Sequence, residues 1–497
     1  MMNLRMLFPV CAVLALAGCS AGSSNVATTT GTGTGTTTTT SSTLVASLQP
    51  YATASGTVAT YSSTGSIDTT GIFFQPLGTN GRTCATCHQL NQGMSINAAS
   101  TAALFTSSSG TDPLFAAVDG ANCPTAATGN ATAHSLLINN GLIRIAEELP
   151  ANTQFTLTTL NDPYGCAVTL DGVTGKQIVS VYRRVLPSTS LNFVSDVMWD
   201  ARQTVSSLAT ESTQSANLDT DLTAQAENAV STHAQGTAAP TSSQLSTILS
   251  LEQGFYTAQA TDNNAGSLSA GGATGGASDL AAQNFYPGIN DVFGGDPNGA
   301  KFNPQAITLF TAWRNSTNAQ QASIERGENI FNTAPLGIAN VRGINDNPAL
   351  GSPAVLNGSC STCHDTPNVG NHSLSLLMDT GATRQAASET DPGILAGLGQ
   401  LSAPSLPVYQ ITGCKDATGN AVTYVTSDPG RALVTGLCAD VNRVKVPILR
   451  GLSARAPYFH NGSAASVQEV VNFYSARFNM RLNPGQITDL VNFLNAL

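Results

Sequence analysis

Two short runs, Cys84-Ala85-Thr86-Cys87-His88 and Cys360-Ser361-Thr362-Cys363-His364, repeat one spacing of two thiols and an imidazole. Two cysteines three positions apart can each form a thioether to one porphyrin while the next histidine turns beneath the iron, which is the pattern of covalent c-type haem attachment. With 10 cysteines and 6 histidines in 497 residues, one such run is expected by chance roughly 0.002 times. A thioredoxin-like dithiol does not need a following histidine twice, and a zinc site needs further clustered ligands. Two covalently bound haems are therefore the predicted cofactors, one on Cys84, Cys87 and His88 and one on Cys360, Cys363 and His364.

What each iron can do depends on its other axial position. A haem with both positions filled by strong ligands passes electrons, whereas an open position can bind peroxide. No histidine follows shortly after His88, Met94 is too close to reach round the porphyrin, and His134 comes much later. The first iron is thus predicted to be five-coordinate, with His134 the outside alternative. Beyond the second motif, Ser466 and Glu469 form an S-x-x-E start signal, and Val467, Val470, Val471 and Tyr474 fall on one helical face. Tyr474 then points where that helix packs; the alternative is a core tyrosine, with Met480 or nothing on the iron. His372, eight residues past His364, reads as a turn cap rather than a ligand.

Helices must position these groups. Residues 322–331 are helix-compatible ahead of the second motif, and Asn483-Pro484 opens a closing helix with Ile487, Leu490, Val491 and Leu494 on its apolar face. Residues 244–257 form one more predicted helix among Gly/Ala/Ser-rich loops, which puts a domain boundary near Asn303. Of the remaining cysteines, Cys123, Cys166, Cys414 and Cys438 allow three pairings, and the local one, Cys123 with Cys166 and Cys414 with Cys438, keeps each bridge within one half of the chain.

Net charge is −10, with 20 basic against 30 acidic residues and no basic run, which argues against a nucleic-acid partner. The apolar run 6–18 behind Arg5 is too short to span a membrane and suits an export signal. It ends in Leu16-Ala17-Gly18-Cys19, which looks like a bacterial lipobox, so Cys19 is expected to carry lipid and anchor the chain on the periplasmic side or at the outer membrane. The Thr/Gly/Ser-rich stretch that follows reads as a tether. The predicted order is signal 1–18, tether 19–48, a first haem domain 49–303 with inserted loops, and a second haem domain 304–497.

Further runs extend the pattern: Val197-Met198-Trp199-Asp200-Ala201-Arg202 in the first half, and Asp428-Pro429-Gly430-Arg431, Lys445-Val446-Pro447-Ile448-Leu449-Arg450 and Ala456-Pro457-Tyr458-Phe459-His460-Asn461-Gly462-Ser463 after the second motif. Together with the haem motifs they resemble the bacterial di-haem cytochrome c peroxidase and MauG family, over about residues 69–497. The first run departs from that family's F-W-D-G-R in Met198 and Ala201. The resemblance implies a mainly α fold of two c-type cytochrome domains with long loops. It places Trp199 between the haems as an electron relay, Tyr474 on the second iron as in MauG, and Gln225 and His233 in the first distal pocket, where the family carries glutamine and glutamate. Arg202 is a candidate partner for a haem propionate, or simply for Asp200. His460 reads as a structural hydrogen-bonding residue near the domain interface. Calcium, often held there in the family, is admitted rather than required, since Arg455 stands where threonine is usual. The implied function is a peroxidase or peroxide-driven oxidase using peroxide and an electron donor protein or organic substrate. The alternatives are an electron-transfer cytochrome with both irons six-coordinate, and an oxygenase with a pocket in residues 103–151.

Overall fold

The computed structural model describes residues 44–204, 211–370, 376–416 and 418–497, the side chains of 211–216 aside. The signal, Cys19, nearly all of the tether and His372 lie outside them.

Each haem motif is wound by a reciprocal threonine or serine cap. Thr83 Oγ1 accepts from Thr86 N at 3.1 Å while Thr86 Oγ1 accepts from Thr83 N at 3.0 Å, which closes Cys84–Cys87 into one helical turn. Ser359 and Thr362 do the same around Cys360–Thr362. The first motif faces two helices, Glu211–Thr232 and Ser242–Gly254, the latter capped by Thr241 against Gln244. The helix expected to reach residue 257 stops at Gly254, because Phe255–Asp262 enters a sheet against Gly56–Ser62. Aromatic and β-branched residues there fit a half-buried strand better than a helix.

Around the second motif, Asn318 caps the helix Ala319–Thr333, which packs on the closing helix Pro484–Asn495. Asn483 Oδ1 accepts from Gln486 N at 3.0 Å, as the Asn-Pro start predicts. Ser466 caps Val467–Arg477, but Glu469 turns to Ala465 N (3.0 Å) rather than closing a reciprocal box.

The mainly α expectation is overturned. The chain is 32% helix and 20% strand, and the described residues contain six small sheets. The strands lie ahead of the first motif, in the long segment between the two motifs and in the segment after the second. Leu142–Glu148 and Val168–Leu170 flank Gln177–Arg184, and Val408–Lys415 pairs with both Ala421–Thr426 and Thr156–Asn161. Val408–Lys415 buries Tyr409 and Ile411 at a period of two, whereas Gln177–Arg184 is buried on both faces from Val179 to Arg184. The sheet joining 156–161 to 408–415 also spans the boundary expected near Asn303. Leu44–Ala46, inside the stretch read as tether, pairs with Ser66–Asp68. Cys123–Cys166 and Cys414–Cys438 are bonded, the local pairing.

The tightest helix contact rests on one residue without a side chain. A Cβ on Gly327 would lie 2.1 Å from Asp489 O and 2.6 Å from Phe493 Cβ in the closing helix. Gly327→Ala is therefore expected to push the two helices apart and cost about 1–3 kcal/mol, read as a lowered thermal midpoint; an unchanged midpoint would show that the crossing yields freely.

Candidate functional site

Each haem motif opens on its own deep, mostly apolar cavity, and the two are of similar volume, about 180 Å³ at the first motif and 200 Å³ at the second. All four motif thiols are free. Burial pushes them up to about 12, 11, 12 and 12 for Cys84, Cys87, Cys360 and Cys363, so they sit as neutral thiols rather than as thiolates. Among the described residues no group of three or more His, Cys, Asp or Glu is arranged to hold a bare metal ion. Neither the dithiol nor the zinc reading gains support from this setting.

The histidines are oriented alike. His88 Nδ1 donates to Met94 O at 3.2 Å and His364 Nδ1 to Val369 O at 3.3 Å, which makes Nε2 of each the nitrogen suited to ligate. Both acceptor carbonyls belong to residues in left-handed backbone, Met94 at φ 58° and Val369 at φ 52°. For a β-branched residue such as Val369 this conformation is a true outlier, of the kind retained where geometry is functional. Burial pushes His88 down to about 4, so its imidazole is neutral, as a metal ligand must be. A planar, apolar group tethered at two thiols and ligated from one side fits both cavities.

The lining of the first cavity also carries a chain of polar groups. His233 Nδ1 donates to Asp119 Oδ2, and Asp119 Oδ1 accepts from Arg82 Nη1. Arg82 is fixed by Pro113 O and Leu114 O, both at 2.8 Å, and the His233 carbonyl is held by Asn80 Nδ2 at 2.7 Å. His233, Asp119, Arg82 and Gln225 all line the cavity. Burial opposes the charge on Asp119, but His233 and Arg82 outweigh it and hold the carboxyl below its ordinary value. Asp119 was invisible to sequence reasoning because it meets His233 across 114 residues. Glu252 was missed too. It is buried on the cavity wall with one oxygen on Ser188 Oγ (2.7 Å) and the other unpartnered, and burial pushes it up to about 7.

Among the described residues, Trp199 is the single aromatic side chain common to the two cavity linings. Its Nε1 donates to Arg184 O at 2.8 Å, its carbonyl accepts from Lys445 N at 2.7 Å, and its ring lies 5.9 Å from that of His460. The sequence runs around it converge as well. Arg183, fully buried, donates to Asp428 through Nε (2.7 Å) and Nη2 (2.9 Å) and to Asp200 through Nη1. Arg431 Nη1 donates to Asp200 O and Ala201 O at 3.0 and 2.7 Å.

The other expectations distribute unevenly. Tyr474 lines the second cavity beside Cys360 and Cys363, stacked on Phe478 at 6.0 Å, and burial raises its phenol; Met480 lines the same cavity. Arg202 lines the first cavity but is already paired with Glu147 and Asp200, each at 3.1 Å. His134 sits away from both cavities, its nitrogens on Asn130 O and Phe115 O at 2.8 and 2.9 Å. Where calcium is admitted, Arg455 Nη2 donates to Ile448 O and Arg450 O at 3.0 and 2.8 Å, so these carbonyls already have a donor. Residues 103–151 fold into helices and a strand that contribute Asp119, Ile143 and Ile145 to the first cavity.

No family model matches this chain. Over 77 residues it is 39% identical to the cytochrome c551 peroxidase of Nitrosomonas europaea. That stretch is 15% of this chain and 23% of the relative, so the chain is matched to about a quarter of that protein's length.

Denaturing mass spectrometry should find two haem masses bound to the chain, and Cys87→Ser or Cys363→Ser should loosen one of them only. Tyr474→Phe keeps the ring and its packing but removes the oxygen. If the phenol ligates the second iron, the near-infrared and resonance spectra change; identical spectra would leave Tyr474 as packing.

Proposed function

We propose that this chain is an exported di-haem c-type cytochrome that reduces peroxide, with two haems exchanging electrons through Trp199. The observation that carries this reading is the single indole on the wall common to the two cavities onto which the Cys-x-x-Cys-His runs open. The likeness to a cytochrome c551 peroxidase supports it at the level of reaction class. An electron donor protein or an organic substrate supplies the electrons, and the lipid on Cys19 holds the chain at the membrane.

A haem with one open axial position supplies an iron at which an O–O bond can be broken. The protein's part is the proton. Breaking that bond requires a proton to leave the inner oxygen and reach the departing one. Asp119 fixes the proton of His233 on Nδ1, so Nε2 is the base that takes the first proton and returns it. Gln225 supplies an amide on the same wall. Two electrons and two protons convert one peroxide to two waters, and the indole lies on the path by which the second cavity can deliver an electron. Burial raises Glu252 to about 7, so near neutral pH this cavity-wall carboxyl can hold or release a proton.

Stopped-flow mixing with peroxide tests the assignment. His233→Ala should slow the first spectral change by about 10²–10⁴-fold, while Trp199→Phe should leave that change fast and impair electron delivery afterwards. A wild-type protein that shows no response to peroxide, before or after partial reduction, would instead make the chain an electron carrier with both irons six-coordinate.

A buried acid raised above its ordinary value favours the folded state where it is protonated and opposes it once ionised. Below about pH 4.5 Glu252 is protonated folded or unfolded, and its penalty grows as pH rises toward about 7. Glu252→Gln should therefore raise the thermal midpoint at pH 8 and leave it nearly unchanged at pH 4. An equal change at both pH values would mean that Glu252 contributes by packing alone.

A further inference from the structure

The wall of the second cavity is rich in donors that nothing among the described residues satisfies. Asn442 is 1% exposed, and neither its amide nitrogen nor its amide oxygen has a partner there. Arg455 is buried with Nη1 unpartnered, and Thr383, 2% exposed, has an unpartnered hydroxyl. All three line the cavity, as does Lys445, whose Nζ donates to Asp196 O at 2.5 Å and retains two further N–H bonds. The acid on that wall, Asp379, is already paired with Arg384 at 2.7 Å. Among the described residues Arg455 has no ion pair with an acidic side chain; its Nη2 meets only carbonyls. Burying a cation and several amide donors without partners costs several kcal/mol unless an anion arrives. The wall therefore calls for carboxylates, and a haem brings two. Lys445 differs from the others in lining the first cavity as well.

We propose that Asn442, Arg455 and Lys445 seat the carboxylates of the haem attached at Cys360 and Cys363, and that the Lys445 ammonium is shared with a carboxylate of the haem attached at Cys84 and Cys87. This rests on the di-haem reading. Arg202, the sequence's candidate for such a contact, is already held between Glu147 and Asp200, whereas the Asn442 amide and Arg455 Nη1 are open, and Lys445, which also feels the Asp196 carboxylate, keeps N–H bonds beyond the one to Asp196 O. One buried charge then acts on both irons. A positive charge beside a haem disfavours its oxidised form, so the shared ammonium raises both reduction potentials together and couples them.

The test is spectroelectrochemical titration of the full holoprotein, with haem stoichiometry fixed first by denaturing mass spectrometry. Lys445→Met should favour the oxidised form of both haems by about tenfold at a given potential, a fall of about 59 mV in each one-electron midpoint. Lys445→Arg, which keeps the charge, should restore both. Asn442→Gly removes an amide with no partner to lose, at a backbone φ of 67° that glycine adopts freely, and should lower the second haem's midpoint alone. A Lys445→Met protein in which one midpoint or neither moves overturns the shared seat. So does an Asn442→Gly protein in which the second midpoint stays or both shift alike. These results are separable from the peroxidase reading. A protein with two haems and this pattern of midpoints but no reaction with peroxide keeps the seat and loses the peroxidase, whereas a chain without covalent haem loses both.

Discussion

A guanidinium taken wholly out of water stays charged only if carboxylates meet it, and Arg183 is met from two directions in the sequence. Asp200 follows Trp199, and Asp428 belongs to the second half of the chain. Burial disfavours every charge in this triad, but the opposite charges outweigh it, raising Arg183 and holding Asp200 and Asp428 low. Removing one partner would leave a buried charge uncompensated, a loss of about 3–5 kcal/mol. The triad thus fixes the turn that carries Trp199 against the strand that supplies Arg184 O and the loop that supplies Lys445 N. If the halves slipped, the indole would lose its place on both cavity walls. Conduction between the two proposed haems would then depend on an ion triad that lines up the indole without carrying the electron itself.

The cavities pose the opposite problem. Their walls are mostly apolar, which suits a planar apolar group better than water. In the proposed holoprotein, two thioethers and a histidine would tether an occupant where a noncovalent ligand would have to balance its own loss of freedom. The left-handed Met94 and Val369 fit this picture. Backbone strain of order 1–3 kcal/mol is kept where the surroundings determine it, and at these two positions it aims a carbonyl at each imidazole.

How much of this could be read from the residues depended on sequence distance. Local patterns carried through: the Asn-Pro start of the closing helix, the Ser466 cap and the nearest-neighbour disulfides are each decided within a few tens of residues. The mainly α expectation followed the family resemblance and the helices next to the motifs, and it passed over Val408–Lys415, where Tyr409 and Ile411 are buried at a period of two; Thr156–Asn161 gives no such signal, its leucines standing three apart. Their pairing with each other spans about 250 residues and has no local signature. His233 and Gln225 were reached through a family likeness, and the structure places both on the first cavity. Asp119, which gives His233 its orientation, could not be reached that way. It lies in a four-residue helix, Ala117–Gly120, with no motif around it. Glu252 looks like any polar residue on an amphipathic helix until the cavity behind it is seen.

The polar groups on the two cavities divide by kind, and the division has a physical meaning. The first cavity is equipped for protons: an imidazole held by a carboxylate, a carboxyl that titrates near neutrality and an amide. The second carries unpartnered donors on Asn442, Arg455 and Thr383, a phenol raised by burial and a thioether. Proton-moving groups are useful where a bond to oxygen breaks, since each proton must be taken and returned at a defined atom. Fixed donors are useful where only an electron arrives and leaves, because they set a potential and need not change state. With similar cavities and the same oriented histidine beneath each, it is these side chains, and the tryptophan between them, that would make one haem site reactive and the other a reservoir.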